Sequence, residues 1–133
     1  MPSQTFPAWA NSIAAARGYV TDQLGAPGWS QLVSPQLCQT AALLVSELAT
    51  NAVRHSGARE FVVEIEFHPD QGLVWVGVTD DGQGFPTPRT PPVTAEHGRG
   101  LQLVGTLADR WGARRRRDTT RKTVWFELST PAA

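Results

Sequence analysis

An acidic and an amide side chain stand four residues apart, Glu47 and Asn51, within the stretch Leu43–Ser56. If this stretch is a helix, both side chains lie on one face, one turn apart, and Arg54 falls beside them. The apolar residues that would pack on a core fall on the opposite side: Ala41, Val45, Leu48 and Ala52. A Glu and an Asn at this spacing usually belong to a solvated polar face, so the pair becomes a candidate site only together with other motifs.

A second set of candidate residues follows the apolar run of residues 73–79, which is typical of a strand buried on both faces. The run ends in Asp80-Asp81-Gly82-Gln83-Gly84. A carboxylate at the end of a strand, here Asp80, can accept a hydrogen bond from the N6 amino group of adenine, and a water can bridge to N1. Glycines allow the backbone to approach a ligand closely. Taken alone, the pattern is a common turn.

A third motif, His97-Gly98-Arg99-Gly100-Leu101, places two glycines at the start of a predicted helix. The free N–H groups and the dipole of a helix N-terminus bind anions, and glycines let a phosphate reach them. The motif lacks the G-x-x-x-x-G-K-[ST] of a P-loop and the preceding strand of a Rossmann site. With phosphates nearby, the side-chain oxygen of Asn51 suits Mg²⁺, and Glu47 can accept a proton from a water or a hydroxyl that attacks the γ-phosphate.

The hydrophobic pattern predicts the elements that must hold these residues. Helices are expected over residues 13–24 and 35–55, capped by Ser12 and by Ser34 with Pro35 after it, and a short one over 101–108. Strands are expected over residues 61–67, 73–79, 111–117 and 123–128, with a proline-rich loop over 85–97. Residues 1–8 are either a frayed end or a short edge strand. Helices that segregate from antiparallel strands predict an α+β, two-layer sandwich.

Composition limits the class of protein. The chain has 133 residues, 41% of them hydrophobic and 18% charged, which predicts one globular domain. The formal net charge is zero, so charge does not steer the chain toward nucleic acid or membrane. A single cysteine, Cys38, no apolar run long enough to span a bilayer and no secretory signal lead us to expect a cytoplasmic protein. The basic run Arg114–Arg117 favours a solvated strand edge or turn over a surface for an acidic partner. Nucleic acid is a third alternative, which the zero net charge and the absence of interleaved aromatic residues disfavour.

In this order the motifs resemble the GHKL ATPase superfamily, which includes gyrase, a heat-shock chaperone, histidine kinases and a mismatch-repair protein. ELATNAVRH resembles the family's N box, DDGQGFP its first glycine box and HGRGLQLV its second. The resemblance implies the Bergerat ATP-binding fold, a mixed, mainly antiparallel sheet covered by helices on one face. It covers about residues 8–130, and it implies one histidine-kinase-like ATPase domain with flexible termini at residues 1–7 and 131–133.

The resemblance also implies ATP and Mg²⁺ as cofactors and a role for each matching residue. Asn51 would ligate Mg²⁺, Glu47 would be the general base, and Thr123 would line the adenine side of the site. Arg121 stands where the family's final strand usually begins with a glycine. The residues implied to bind the nucleotide come from the three motifs and the final strand: Asn51, Arg54, His55, Asp80, Gly82, Gly84, His97, Gly98, Arg99, Gly100, Leu101 and Thr123.

Within the superfamily, SELATNAVRHS and RWG…KTVWFEL are similar to small bacterial anti-sigma-factor kinases. This similarity implies a serine/threonine-protein kinase that phosphorylates an anti-anti-sigma (STAS-type) partner and binds a sigma factor. It further implies a homodimer, with no direct binding to nucleic acid or membrane. The alternative is a catalytically weak or inactive ATP-binding interaction module of the same fold. The catalytic half of a histidine kinase is disfavoured, because it requires a helical dimerisation domain with an acceptor histidine.

Overall fold

The computed structural model describes residues 2–54, 57–82, 100–115 and 121–130. The described helices are α1, α2 and α3, in chain order: Ser12–Leu24, Pro35–Arg54 and Gly100–Leu107. The described strands are β1 to β5: Ser3–Pro7, Glu60–His68, Leu73–Asp80, Arg110–Arg115 and Lys122–Ser129. Every helix and strand expected from the sequence is present, and the ends that fall within the described ranges agree to within one residue. The predicted ends at residues 55 and 117 and the loop predicted over residues 85–97 lie outside the described residues.

The five described strands form one sheet in the order β1-β2-β3-β5-β4, and each neighbouring pair is antiparallel. Alternate strand residues pack with the buried sides of the helices into one hydrophobic cluster. The largest fully buried strand side chains are Phe61, Ile65 and Phe126, each 0% exposed. The α+β sandwich predicted from the sequence is therefore confirmed.

Helix α2 runs across the sheet and carries the candidate residues Glu47 and Asn51. It begins as the sequence predicts, because the Ser34 hydroxyl accepts a hydrogen bond from the N–H of Leu37 at 3.0 Å, and Pro35 occupies the first turn. One side of the helix is buried against the sheet: Leu37, Ala41, Leu44, Val45, Leu48, Ala49 and Ala52. None of the helices in the described ranges has the length and apolar character needed to cross a lipid bilayer.

The N-terminal residues differ from the flexible terminus expected at residues 1–7. Residues 3–7 form β1, an edge strand paired with β2 so that Phe6 lies opposite Phe61. The two rings stack with centroids 5.5 Å apart, and Phe6 is only 5% exposed. Burial of this one large apolar side chain holds the segment on the sheet. Of the two alternatives for residues 1–8, the edge strand is correct, and residues 131–133 lie outside the described part.

The sheet face turned away from the core cluster carries two tryptophans that lie across glycines. A Cβ atom added to Gly77 would overlap the ring of Trp75, and one added to Gly112 would lie 2.8 Å from Cζ2 of Trp125. Glycine is required at both positions because the indole rings approach the backbone this closely. The rings of Trp75 and Trp125 thereby cover part of the sheet face that the helices leave open.

Candidate functional site

The position of α2 relative to the sheet brings its last turns to the end of β3. The start of α2, the end of β5 and the end of α3 line one open cleft of about 410 Å³, so α2 begins beside the end of β5. The lining residues are Ser34, Gln36, Leu37, Thr40, Leu107, Asp109, Leu128, Ser129 and Thr130. At about 1.5 Å per residue, the 20 residues of α2 extend roughly 30 Å, as far as the strands do. The next strand along the chain is β2, where Phe61 near its start pairs with Asp80. Asn51 and Asp80 therefore lie at the same end of the sandwich.

Glu47 and Asn51 lie one turn apart on α2, and both are partly buried. Burial raises the pKa of the Glu47 carboxyl group above its ordinary value. The Asn51 Nδ2 atom is buried and has no hydrogen-bond partner within the described residues. A buried polar group left unpaired costs about 1–3 kcal/mol. Such a group is suited to an incoming ligand, either through its N–H groups or, after rotation of the carboxamide, through its oxygen.

Asp80 lies at the end of β3 and is 6% exposed. Its Oδ1 accepts a hydrogen bond from the N–H of Gly82 at 2.8 Å. This local turn, in which an aspartate binds the backbone two residues ahead, fixes the orientation of the carboxylate. Gly82 is itself buried, so the structure brings together two of the residues that the first glycine motif predicted. Neighbouring Asp81 points elsewhere, since its Oδ1 accepts from the N–H of Arg59 at 3.3 Å.

Thr123, which the resemblance assigns to the adenine side, lies on the sheet face opposite Asp80. In the β3–β5 register, Thr123 pairs with Thr79 and Lys122 pairs with Asp80. Successive strand residues point to opposite faces, so Thr123 and Asp80 are on opposite sides of the sheet. The Thr123 and Thr79 hydroxyl oxygens are 2.7 Å apart and the two residues are buried, so Thr123 makes a cross-strand hydrogen bond.

Lys122 is the residue beside Asp80 that the sequence reasoning missed. It is 2% exposed, and its Nζ lies 3.5 Å from Asp80 Oδ1 and 3.5 Å from the carbonyl oxygen of Gly82. Burial lowers the pKa of Lys122; the Asp80 carboxylate opposes this effect, and the charge of Arg115 adds to it. The alternation of β5 contained the signal, because Lys122 shares a face with Val124 and Phe126, which are both in the core.

The remaining predicted residues lie at the ends of α2 and α3 or outside the described ranges. Arg54 is exposed in the last turn of α2, and Gly100 begins α3, whose other end lies at the cleft beside Thr130. The start of α3 therefore points away from that cleft, toward the end of the sheet that holds Asp80. Nothing is described of the Leu101 side chain, and five predicted residues lie outside the described ranges: His55, Gly84, His97, Gly98 and Arg99.

The donor set fits a magnesium ion held mainly by phosphates and water. The described ranges contain no group of three or more His, Cys, Asp or Glu side chains that could hold a metal without help. Mg²⁺ typically takes one or two protein oxygens and completes its shell with water and substrate phosphates. The Asn51 side chain, whose Nδ2 has no partner among the described residues, can supply one such oxygen after rotation of the carboxamide.

Comparison with known proteins gives a consistent result. A sequence model described as a histidine kinase-like ATPase domain matches residues 6–128. The uncharacterized protein SCO4941 of Streptomyces coelicolor is 38% identical over 82 residues, and the match covers 56% of this chain and 72% of that protein.

Solved structures agree in fold. The RsbU and RsbW domains of Rv1364c from Mycobacterium tuberculosis superpose with a TM-score of 0.64 at 15% identity, covering 98% of this chain and 33% of that one. This chain therefore corresponds to about a third of the mycobacterial structure. The Acinetobacter baumannii histidine kinase AdeS gives a TM-score of 0.50 at 14% identity, covering 98% of this chain and 68% of that one.

Proposed function

Because this chain belongs to the family of histidine kinase-like ATPase domains, we propose that it is an ATP-dependent serine/threonine-protein kinase. Membership of the family implies ATP binding. The proposed reaction goes one step beyond binding and transfers the γ-phosphate to a hydroxyl group of a partner protein. The nucleotide would bind where the end of β3 and the start of β5 meet the last turns of α2.

One observation carries the proposal: the partly buried carboxylate of Glu47, with a raised pKa, lies one turn from Asn51, whose buried Nδ2 has no partner in the described part of the chain. A general base works best when its pKa approaches the working pH, and burial moves Glu47 in that direction. An unpaired amide is costly unless a ligand engages it, and the amide of Asn51 is available for that contact. A solvated polar face would show neither property.

The described residues then have separate tasks. Asp80 accepts a hydrogen bond from the adenine amino group and thereby positions the nucleotide. Asn51 would hold Mg²⁺, which, when bound, neutralises charge on the β- and γ-phosphates. Glu47 takes the proton of the acceptor hydroxyl while the hydroxyl oxygen bonds to the γ-phosphorus; the bond to the β–γ bridging oxygen breaks and ADP leaves.

The proposed acceptor is a serine or threonine of an anti-anti-sigma (STAS-type) protein, and the proposed second partner is a sigma factor bound by a homodimer in the cytoplasm. The resemblance of SELATNAVRHS and KTVWFEL to anti-sigma-factor kinases supports these partners. Support also comes from the shared fold with a protein that contains an RsbW domain.

The test is phosphate transfer from γ-labelled ATP to a purified STAS-type protein encoded near this chain. We expect labelled serine or threonine with the wild type and loss of label with Glu47→Ala and with Asn51→Ala. The matched control is Asp70→Asn, which alters an exposed carboxylate in the β2–β3 turn at the other end of the sheet. Transfer that persists in Glu47→Ala would remove that residue as the base, and no transfer to any neighbouring STAS-type protein would reject the kinase proposal.

A further inference from the structure

Lys122 is the chain's only lysine, and it is one of the most buried charged residues in the described part. By contrast with Lys122, Arg114 and Arg115 on the neighbouring strand β4 are exposed. Removing an ammonium group from water is costly unless its hydrogen bonds are well made. A buried lysine is therefore expected either to make strong hydrogen bonds or to have a functional role.

The partners of Lys122 in the protein are weak. Within the described part of the chain its contacts are to Asp80 Oδ1 and to the carbonyl oxygen of Gly82, and both measure 3.5 Å, beyond the usual 2.7–3.2 Å of an N–H···O hydrogen bond. An ammonium group has three N–H donors. Both the Lys122 contact and the Gly82 N–H bond fall on Oδ1 of Asp80, so among the described residues the Oδ2 side of the carboxylate can accept a hydrogen bond from a ligand.

Asp80 and Lys122 therefore present an acceptor beside a donor at the end of the sheet where the nucleotide is proposed to bind. The Watson–Crick edge of adenine presents the complement, a donor at N6 beside an acceptor at N1. We propose that Lys122 reads the base directly, by donating a hydrogen bond from Nζ to N1 of adenine while Asp80 accepts from N6. This inference rests on the proposed nucleotide site and assigns to a side chain the contact that a bridging water would otherwise make.

The same pair excludes guanine. Guanine carries an acceptor at O6 where adenine carries a donor, and a donor at N1 where adenine carries an acceptor. Its O6 would face the Asp80 carboxylate and its N1–H would face the Lys122 ammonium, so both contacts become repulsive. Lys122 is thus a specificity-determining residue as well as a binding residue.

The test combines a change in the ligand with a change in the protein. The dissociation constants of ATP and 1-deaza-ATP, in which a C–H group replaces N1, are measured by calorimetry for the wild type and for Lys122→Met. Loss of a hydrogen bond to a charged donor corresponds to about a 10- to 100-fold loss of affinity. We expect this loss for 1-deaza-ATP with the wild type and less than about a threefold difference between the two nucleotides with Lys122→Met.

Arg115→Met is the matched control, because Arg115 pairs with Lys122 across β4 and β5 but is exposed. It removes a nearby positive charge, and the ratio of the two dissociation constants should stay at the wild-type value. If Lys122→Met still loses as much affinity for 1-deaza-ATP relative to ATP as the wild type does, a water makes the contact to N1. If Lys122→Met binds ATP more tightly than the wild type, the ammonium group competes with adenine for Asp80. Either result overturns the inference.

A measurement on the wild type avoids any dependence on the folding of Lys122→Met. Because the chain has one lysine, protein labelled with ¹³C-lysine gives one Cε signal. We expect saturating Mg²⁺-ATP to shift this signal and 1-deaza-ATP to shift it much less. A signal that does not move although ATP binds overturns the role of Lys122 alone. A wild type that does not bind ATP overturns the proposed function and this inference together.

Discussion

Replacing Thr123 with valine separates a structural role of this residue from a role in the nucleotide site. The Thr79 and Thr123 hydroxyl oxygens are 2.7 Å apart, with the residues 3% and 1% exposed. Valine keeps the branched shape but leaves the Thr79 hydroxyl buried without this partner, which costs about 1–3 kcal/mol. At about 2.1 cal/mol/K of unfolding entropy per residue, each kcal/mol lowers the Tm of a chain of this length by roughly 3–4 °C. Thr123→Val should therefore lower Tm by about 3–10 °C.

The assay pairs thermal unfolding with calorimetric ATP binding for Thr79→Val, Thr123→Val and the double variant. The double variant removes both hydroxyls, so it should be less destabilised than the sum of the single variants by about 1 kcal/mol or more. ATP affinity should change less than about twofold in Thr123→Val, because the side chain lies on the sheet face opposite Asp80. An unchanged Tm together with a tenfold weaker affinity would refute this placement of Thr123.

Two further substitutions test other contacts. Glu47→Gln should raise Tm at neutral pH, because burial raises the pKa of Glu47, so that the ionised carboxylate destabilises the folded state. In a pH series of unfolding curves this gain should vanish below the ordinary pKa of 4.5, where the carboxyl group is protonated in both states; a gain that persists there would contradict the assignment. Gly77→Ala should lower stability in urea unfolding by about 1–3 kcal/mol, because the new methyl group overlaps Trp75. The control Gly18→Ala, in α1 with no atom within 4 Å of the added Cβ, should instead raise stability by about 0.5–1 kcal/mol; equal effects of the two substitutions would argue against the overlap.

The elements of the fold could be predicted because their signals are local. Ser34 and Pro35 mark the start of α2, and the spacing of Ala41, Val45 and Leu48 marks its buried side. The strand β1 could not be decided in the same way. Its buried side chain, Phe6, packs on Phe61, and its backbone pairs with β2, both distant in the sequence. The local sequence of this short polar segment is therefore equally compatible with a frayed end.

Candidate site residues that are close in sequence also lie close together in the structure. For residues that are distant in sequence, the strand register determines which of them lies beside Asp80. Asp80 and Gly82 meet through a local turn. The choice between Lys122 and Thr123 depends on which of them shares a face with Asp80, and the motif resemblance favoured Thr123. The alternation of apolar residues in β5 places Lys122 on the same face as Val124. Only the pairing of β5 with β3 shows that Lys122 lies beside the Asp80 carboxylate on that face.

The central claim is that a nucleotide binds at the end of the sheet where Asp80 lies. Calorimetric titration of Mg²⁺-ATP into the wild type, Asp80→Asn and the control Asp70→Asn tests it most directly. The amide in Asp80→Asn keeps the shape of the side chain but loses a charge-assisted hydrogen bond to the base, so we expect affinity to fall by about 10- to 100-fold. Asp70→Asn should bind as the wild type does. Wild-type protein that does not bind ATP, or Asp80→Asn that binds it equally well, would contradict the claim.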